Sequence, residues 1–267
     1  MEKVFIKTSF AKRVKSMLNV DFKRAFTSPL FYIMIGASLV MPVLILVMTT
    51  MMDGMVSTDP QTGVQTVMEG FKNAWQAIGA VSGASSAMDM SLTSMCNINM
   101  LYFLMAIITC IFVSDDFRSG YAKNIFTVRA KKNDYVLSKT LVCFIGSACM
   151  LVAFFVGTVL GGAIAGLPFD TEGFNAGNLL ACMLSKILLS SAFVSIYLLA
   201  SVIAKQKTWL AILLSFGIGM LFYTVAPMVA PLDSNIINVL LCAVGGVGMS
   251  VGLGAISNIV LNKTALV

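Results

Sequence analysis

The sequence predicts an all-α integral membrane protein with six transmembrane helices and an N-terminal interfacial amphipathic helix. Three observations lead there. Hydrophobic residues make up 58% of the 267 and charged residues 11%, with mean hydropathy +0.91. A soluble domain carries about 25% charge, so this chain has too little to cover a water-facing surface. Six apolar runs each reach the ~20 residues that cross a hydrocarbon core of about 30 Å. Finally, every Lys and Arg except Lys72 and Lys186 falls in the N-terminal segment, the C-terminus, residues 115–139 or the connection between the fourth and fifth runs. Backbone groups in lipid must be satisfied within the spanning segment, which makes the runs helices. The alternating ten-residue pattern of a strand barrel does not occur.

Residues 1–29 form the first unit. Phe10, Val14, Met17 and Leu18 fall at helical spacing, while Lys3, Lys7, Lys12, Arg13, Lys15, Lys23 and Arg24 lie mostly off that face. This is the pattern of a helix lying in the membrane interface; the alternative is a disordered basic leader. No cleavable signal peptide is expected, because no compact apolar stretch with a small-residue cleavage site follows the basic residues. Ser28 and Pro29 punctuate the start of the 30–267 membrane domain. Its runs are Leu30–Met52, Cys96–Ser114, Tyr135–Leu167, Asn178–Ala204, Thr208–Pro231 and Asn235–Leu261. Pro42 lies within the first; Pro227 and Pro231 end the fifth, so the last two runs read either as an ordinary external hairpin or as a re-entrant pair.

The basic connections set the orientation. By the positive-inside rule both termini are cytoplasmic, and the chain crosses six times. The other face carries Asp53, Asp59, Glu69, Asp89, Asp170, Glu172 and Asp233. Its one long connection is 53–95. There Phe71, Trp75 and Ile78 recur at three or four residues, predicting a short amphipathic helix on the outer surface, either an interfacial anchor or a lid over a substrate path. The Gly, Ser, Ala and Met stretch 79–95 reads as a re-entrant piece or a linker. The spacings Gly157…Gly161, Gly162…Gly166 and Gly248…Gly252 predict close helix packing.

Composition also excludes chemistry. Histidine is absent, which removes Ser-His and Cys-His catalysis and the usual zinc ligand. The six cysteines show no CxxC pair and read as small hydrophobes rather than a metal site. No acid lies deep within a run, which argues against the proton or sodium coupling of a secondary carrier and against an intramembrane aspartyl protease. The net charge of +6 is accounted for by membrane orientation, so no nucleic-acid partner is expected. Lys186, in contrast, sits about eight residues into the fourth run, roughly 12 Å along the helix. It either snorkels to the outer interface or faces a polar cavity near Ser185, Ser190 and Ser191 as a substrate-path residue.

The connection after the second run is the most informative segment. It opens Asp115-Asp116-Phe117-Arg118-Ser119-Gly120-Tyr121-Ala122-Lys123-Asn124-Ile125-Phe126 and continues through Arg129–Lys132 to Ser138-Lys139. Acids before a basic run suit a short surface helix. The acid pair with Phe117, Arg118 and Gly120 exceeds what topology needs. This segment resembles the cytoplasmic loop of type-2 ABC exporter permeases, as do the basic leading helix and the six-helix count. The resemblance implies that 115–134 is a coupling loop whose Asp115, Asp116, Phe117, Arg118, Gly120 and Tyr121 contact an ATP-binding subunit. It implies a second permease chain, identical or similar, and ATP with Mg bound by the partner, since this chain has no GxxxxGK[ST] loop. The expected function is then ATP-driven export of an amphipathic or hydrophobic substrate (peptide, lipid-like molecule or drug) across a plasma membrane, expected to be bacterial. The chain itself would do no bond chemistry. The alternative is a stand-alone channel or secondary carrier.

Overall fold

A computed structural model describes residues 9–58, 65–67, 69–81, 96–128, 132–171, 173–223 and 225–263. Lys3, Lys7, Pro60, Gly63, Gly83, Arg129, Lys131 and most of the 79–95 stretch lie outside the described residues. The fold is all-α apart from a short antiparallel hairpin, Val56–Thr58 against Gln65–Val67, with Ser57 opposite Thr66.

Helix α1, Phe10–Thr27, buries Met17 and Asp21, one turn apart, and leaves its other faces largely open. Ser28 is extended and Pro29 opens α2, Pro29–Met52, where its missing N–H costs nothing. Helix α3 is Leu101–Arg118, led by a 3-10 turn at Ile98–Met100 that Asn97 caps. Gly120, at φ 76°, makes the sharp corner into α4, Tyr121–Val128. Helix α5, Lys132–Ala165, has 34 residues. It ends where Gly166, at φ 70°, lets the Leu167 N–H donate to the Gly162 carbonyl at 3.0 Å. Helix α6, Ala176–Ala204, starts from reciprocal capping by Asn175 and Asn178.

The fifth run differs from expectation. It forms α7, Thr208–Tyr223, then a short α8, Ala226–Val229, with Pro227 in its first turn. Sixteen residues extend about 24 Å, less than the ~30 Å core. Among the described residues, five helices are long and apolar enough to cross a membrane, and the Thr208–Leu221 stretch is a shorter apolar one. Helix α9, Ile236–Lys263, completes the chain.

Helices α2 and α5 pair along their length, as do α6 and α9. The first pairing runs on glycine: a Cβ on Gly157 would collide with the Leu39 carbonyl and one on Gly161 would lie 2.8 Å from the Val43 Cα. The second rests on Gly246, where a Cβ would come within 2.6 Å of the Leu188 carbonyl. The expected Gly248…Gly252 contact is absent among the described residues, since both face open space, and Gly166 serves the helix end instead.

The Phe71–Ile78 segment is not a surface helix. It is one 3-10 turn, Ala74–Ala77, capped by Asn73, with Phe71, Ala74, Ala77 and Ile78 buried. Its Ala74 N–H donates to the Pro168 carbonyl at 3.1 Å. Trp75 stacks on Phe155 at 5.8 Å and donates from Nε1 to the Phe169 carbonyl at 3.3 Å. Its three-to-four spacing serves contacts within the chain rather than a lipid surface. The turn closes one end of the bundle. The C-terminal end of α9 lies at the other, where Lys132 Nζ donates to the Leu261 carbonyl at 2.6 Å, beside α1.

Candidate functional site

At the α1 end, four charges from three helices are drawn together. Asp21 projects from α1, Asp116 from the last turn of α3, and Lys139 from the second turn of α5; all three are 0% exposed. Lys139 Nζ lies 2.8 Å from Asp21 Oδ1 and 2.7 Å from Asp116 Oδ2, so one ammonium bridges both carboxylates. Arg24, one turn beyond Asp21 on α1, reaches Asp116 Oδ1 at 2.7 Å. The remaining acceptor sites are filled by neutral donors. Ser138 Oγ donates to Asp21 Oδ2 at 2.6 Å and Tyr135 OH to Asp116 Oδ2 at 2.9 Å. Two anions and two cations cancel, and each carboxylate is multiply bonded, which is what burial of such groups requires.

Aromatic rings complete the shell. The Arg24 guanidinium stands 4.0 Å from the Tyr121 ring centroid, and the Lys139 ammonium 4.1 Å from that of Phe112. Burial works against the Arg24 charge, but Asp116, Tyr121 and Asp21 together outweigh it and hold the group above its ordinary value. Burial raises the Tyr121 phenol, and the nearby Asp21 carboxylate adds to the effect. A second contact pins the start of α1: Arg13 Nε to Asp134 Oδ2 at 2.9 Å. Beneath the charges, Met17, Val113, Phe117, Ala122, Tyr135 and Leu261 form one apolar cluster. The corner between α3 and α4 is thus held to α1, α5 and α9.

The 115–124 residues differ in the way they face. Asp116 and Phe117 face inward, at 0% and 7% exposure, so the Asp116 carboxylate is engaged within the chain rather than offered to a partner. Asp115, Arg118, Ser119, Lys123 and Asn124 are exposed, and Gly120 and Tyr121 half-buried. Gly120 supplies the turn. Sequence reasoning counted Arg24 and Lys139 as orientation charges and passed over Asp21. Two signals were present: an acid in the middle of the basic 10–27 helix pattern, and a lysine inside the apolar run that begins at Tyr135.

At the opposite half, Lys186 is 1% exposed and does not snorkel. Its Nζ donates to Asn99 Oδ1 at 3.2 Å. The expected serines are not its partners: Ser190 and Ser191 donate to the Ile187 and Leu188 carbonyls of their own helix. Asn99, itself 1% exposed, went unmarked in the sequence because amides at the head of an apolar run, Asn97 and Asn99, also read as helix-start residues.

A family model described as ABC-2 family transporter protein matches residues 21–226. No curated protein and no solved structure matches the chain significantly.

Proposed function

The chain belongs to the ABC-2 family of transporter proteins and is the membrane-spanning permease component of an ABC transporter; from that premise we propose that it works as an exporter driven by a separate ATP-binding subunit. Two permease chains, identical or paired with a similar one, would join two such subunits, which bind the ATP and Mg. The membrane is a bacterial plasma membrane, with both termini in the cytoplasm.

The observation that carries this reading is the α3–α4 corner. It presents an exposed charged face, and its inner face is tied by buried ion pairs to α1 and α5. A push delivered to such a corner moves helices rather than bending a loop, because the buried charges cannot separate cheaply. The roles divide accordingly. Asp115, Arg118 and Lys123 meet the ATP-binding subunit, with Gly120 and Tyr121 at the edge of that contact. Asp116 and Phe117 transmit the motion inward. The substrate is an amphipathic or hydrophobic molecule, in keeping with a chain whose spans hold few charges.

Affinity purification from native membranes is the test, read as co-purification of a nucleotide-binding chain and its substrate-stimulated ATPase activity. The wild-type chain should retain that subunit. Arg118→Glu combined with Lys123→Glu should insert normally and lose it, since charges at an interface rim set encounter and partner choice. Absence of any nucleotide-binding chain from the wild-type complex, or unchanged retention and stimulation in the double variant, would sink the reading.

A further inference from the structure

The buried cation Lys186 has no part in the ion-pair cluster. It lies ten residues beyond Ala176, roughly 15 Å along α6, in the half of the bundle away from α1. An ammonium has three N–H donors, and Asn99 Oδ1 takes one. Among the described residues no ion pair includes Lys186. Among the described residues, the thiols of Cys182 and Cys242 also lie within electrostatic reach. A cation held in that way is costly unless something anionic compensates it.

What covers the ammonium is also specific. A Cβ on Gly79 would stand 4.0 Å from Lys186 Nζ and 3.9 Å from Leu232 Cγ, so the backbone of one connection lies over the charge, beside a side chain of another. The two connections are joined to each other by the Leu232 N–H, which donates to the Ala80 carbonyl at 2.9 Å. The Cys182 thiol donates to the Ala230 carbonyl at 3.6 Å on the same side. The floor is rigid: Tyr102 OH donates to the Lys186 carbonyl at 3.3 Å, and its ring stacks on Phe193 at 4.2 Å. The charge therefore sits on a fixed base beneath two connections linked by a backbone hydrogen bond.

We propose that Lys186 and Asn99 form an oxyanion site for the phosphate or carboxylate head of an amphipathic molecule carried by the permease, with the 79–80 and 230–232 segments closing over it. This rests on the permease reading above and adds the charge of the substrate. Asn99 suits the role because a half-turn of its amide presents N–H donors alongside the ammonium, giving two donors of different kinds to one oxyanion. The surrounding apolar residues would receive the tail.

The test uses the complete complex in lipid nanodiscs, with three probes below micellar concentration: decyl phosphate, decyltrimethylammonium and inorganic phosphate. Basal ATP hydrolysis reports whether the permease assembly exists, and the probe dependence of that hydrolysis reports the site, so the two readings fail separately. Decyl phosphate should stimulate hydrolysis, and the other two probes should not. In Lys186→Met the half-maximal decyl phosphate concentration should rise roughly tenfold or more, the weight of a charge-assisted hydrogen bond, while Lys186→Arg stays closer to wild type. Asn99→Asp guards against a folding artefact: it gives the ammonium an internal carboxylate, so the protein should fold at least as well and lose its response to decyl phosphate. Equal stimulation by the cationic probe, an unshifted response in Lys186→Met, or stimulation by inorganic phosphate matching that by decyl phosphate would each overturn the proposal.

Discussion

Lys139 bonding to two aspartates is the smallest unit on which the α1 end depends. Removing it leaves Asp21 and Asp116 buried with Arg24 as the remaining cation. Breaking a buried ion pair from one side costs about 3–5 kcal/mol because it leaves a buried charge unpaired, and Lys139→Met affects two such carboxylates where Arg13→Met affects one, Asp134. Lys139→Met should therefore lower the thermal unfolding midpoint of the detergent-solubilised protein far more than Arg13→Met, whose guanidinium is 21% exposed. Equal losses would mean that the cluster is no stronger than the single Arg13–Asp134 pair. Adding Asp116→Asn to Lys139→Met should recover part of the loss, since it removes one orphaned charge. At this scale the sequence was only half legible. The Asp115–Tyr121 segment was marked by its excess of pattern. Asp116 meets Arg24 across 92 residues and Lys139 meets Asp21 across 118, and no local spacing records such pairings.

Between helices, legibility depended on whether a glycine faces a neighbour. The repeat Gly157…Gly161 marks a real approach of α5 to α2, but the same spacing at Gly248…Gly252 marks none among the described residues. Spacing identifies a smooth face and says nothing of what lies against it. Gly161→Leu should separate α2 from α5 and reduce the yield of monodisperse protein in detergent. Gly248→Leu should leave the yield unchanged. A comparable loss at Gly248 would show that a second chain covers that face of α9. The fifth run was misread in length for a related reason. Hydropathy continues to Pro231, but Pro227 restarts the helix as α8 and shortens α7. The Phe71–Ile78 spacing was equally ambiguous, since a 3-10 turn buried in its own chain and a helix on a lipid surface both recur every three or four residues.

For the molecule as a whole, composition and charge bias carried the most. Apolar length predicted the class of fold, and the distribution of Lys and Arg predicts that both chain ends share one side; α1 and the end of α9 both contact the first turn of α5. The proposed orientation can be checked by labelling. In a cysteine-free background in intact cells, Asn73→Cys should react with an impermeant thiol reagent added outside. Asn124→Cys, on the exposed face of α4, should react after the cells are opened. The opposite pattern would invert the orientation and place the α3–α4 corner outside, away from any cytoplasmic ATPase.

The long sequence separation between Asp21 and Lys139 has a consequence for biosynthesis. A ribosome adds about 5–20 residues per second, so the 118 residues between them occupy roughly 6–24 s. Through that interval α1 has emerged with Asp21 while the Lys139 ammonium that will pair with it does not yet exist. An amphipathic helix can wait at the water–lipid boundary with its charges hydrated, which a purely apolar first segment could not do. Docking of α1 is then a late event, gated by the arrival of α5, and a chain arrested before residue 139 would leave its first helix undocked.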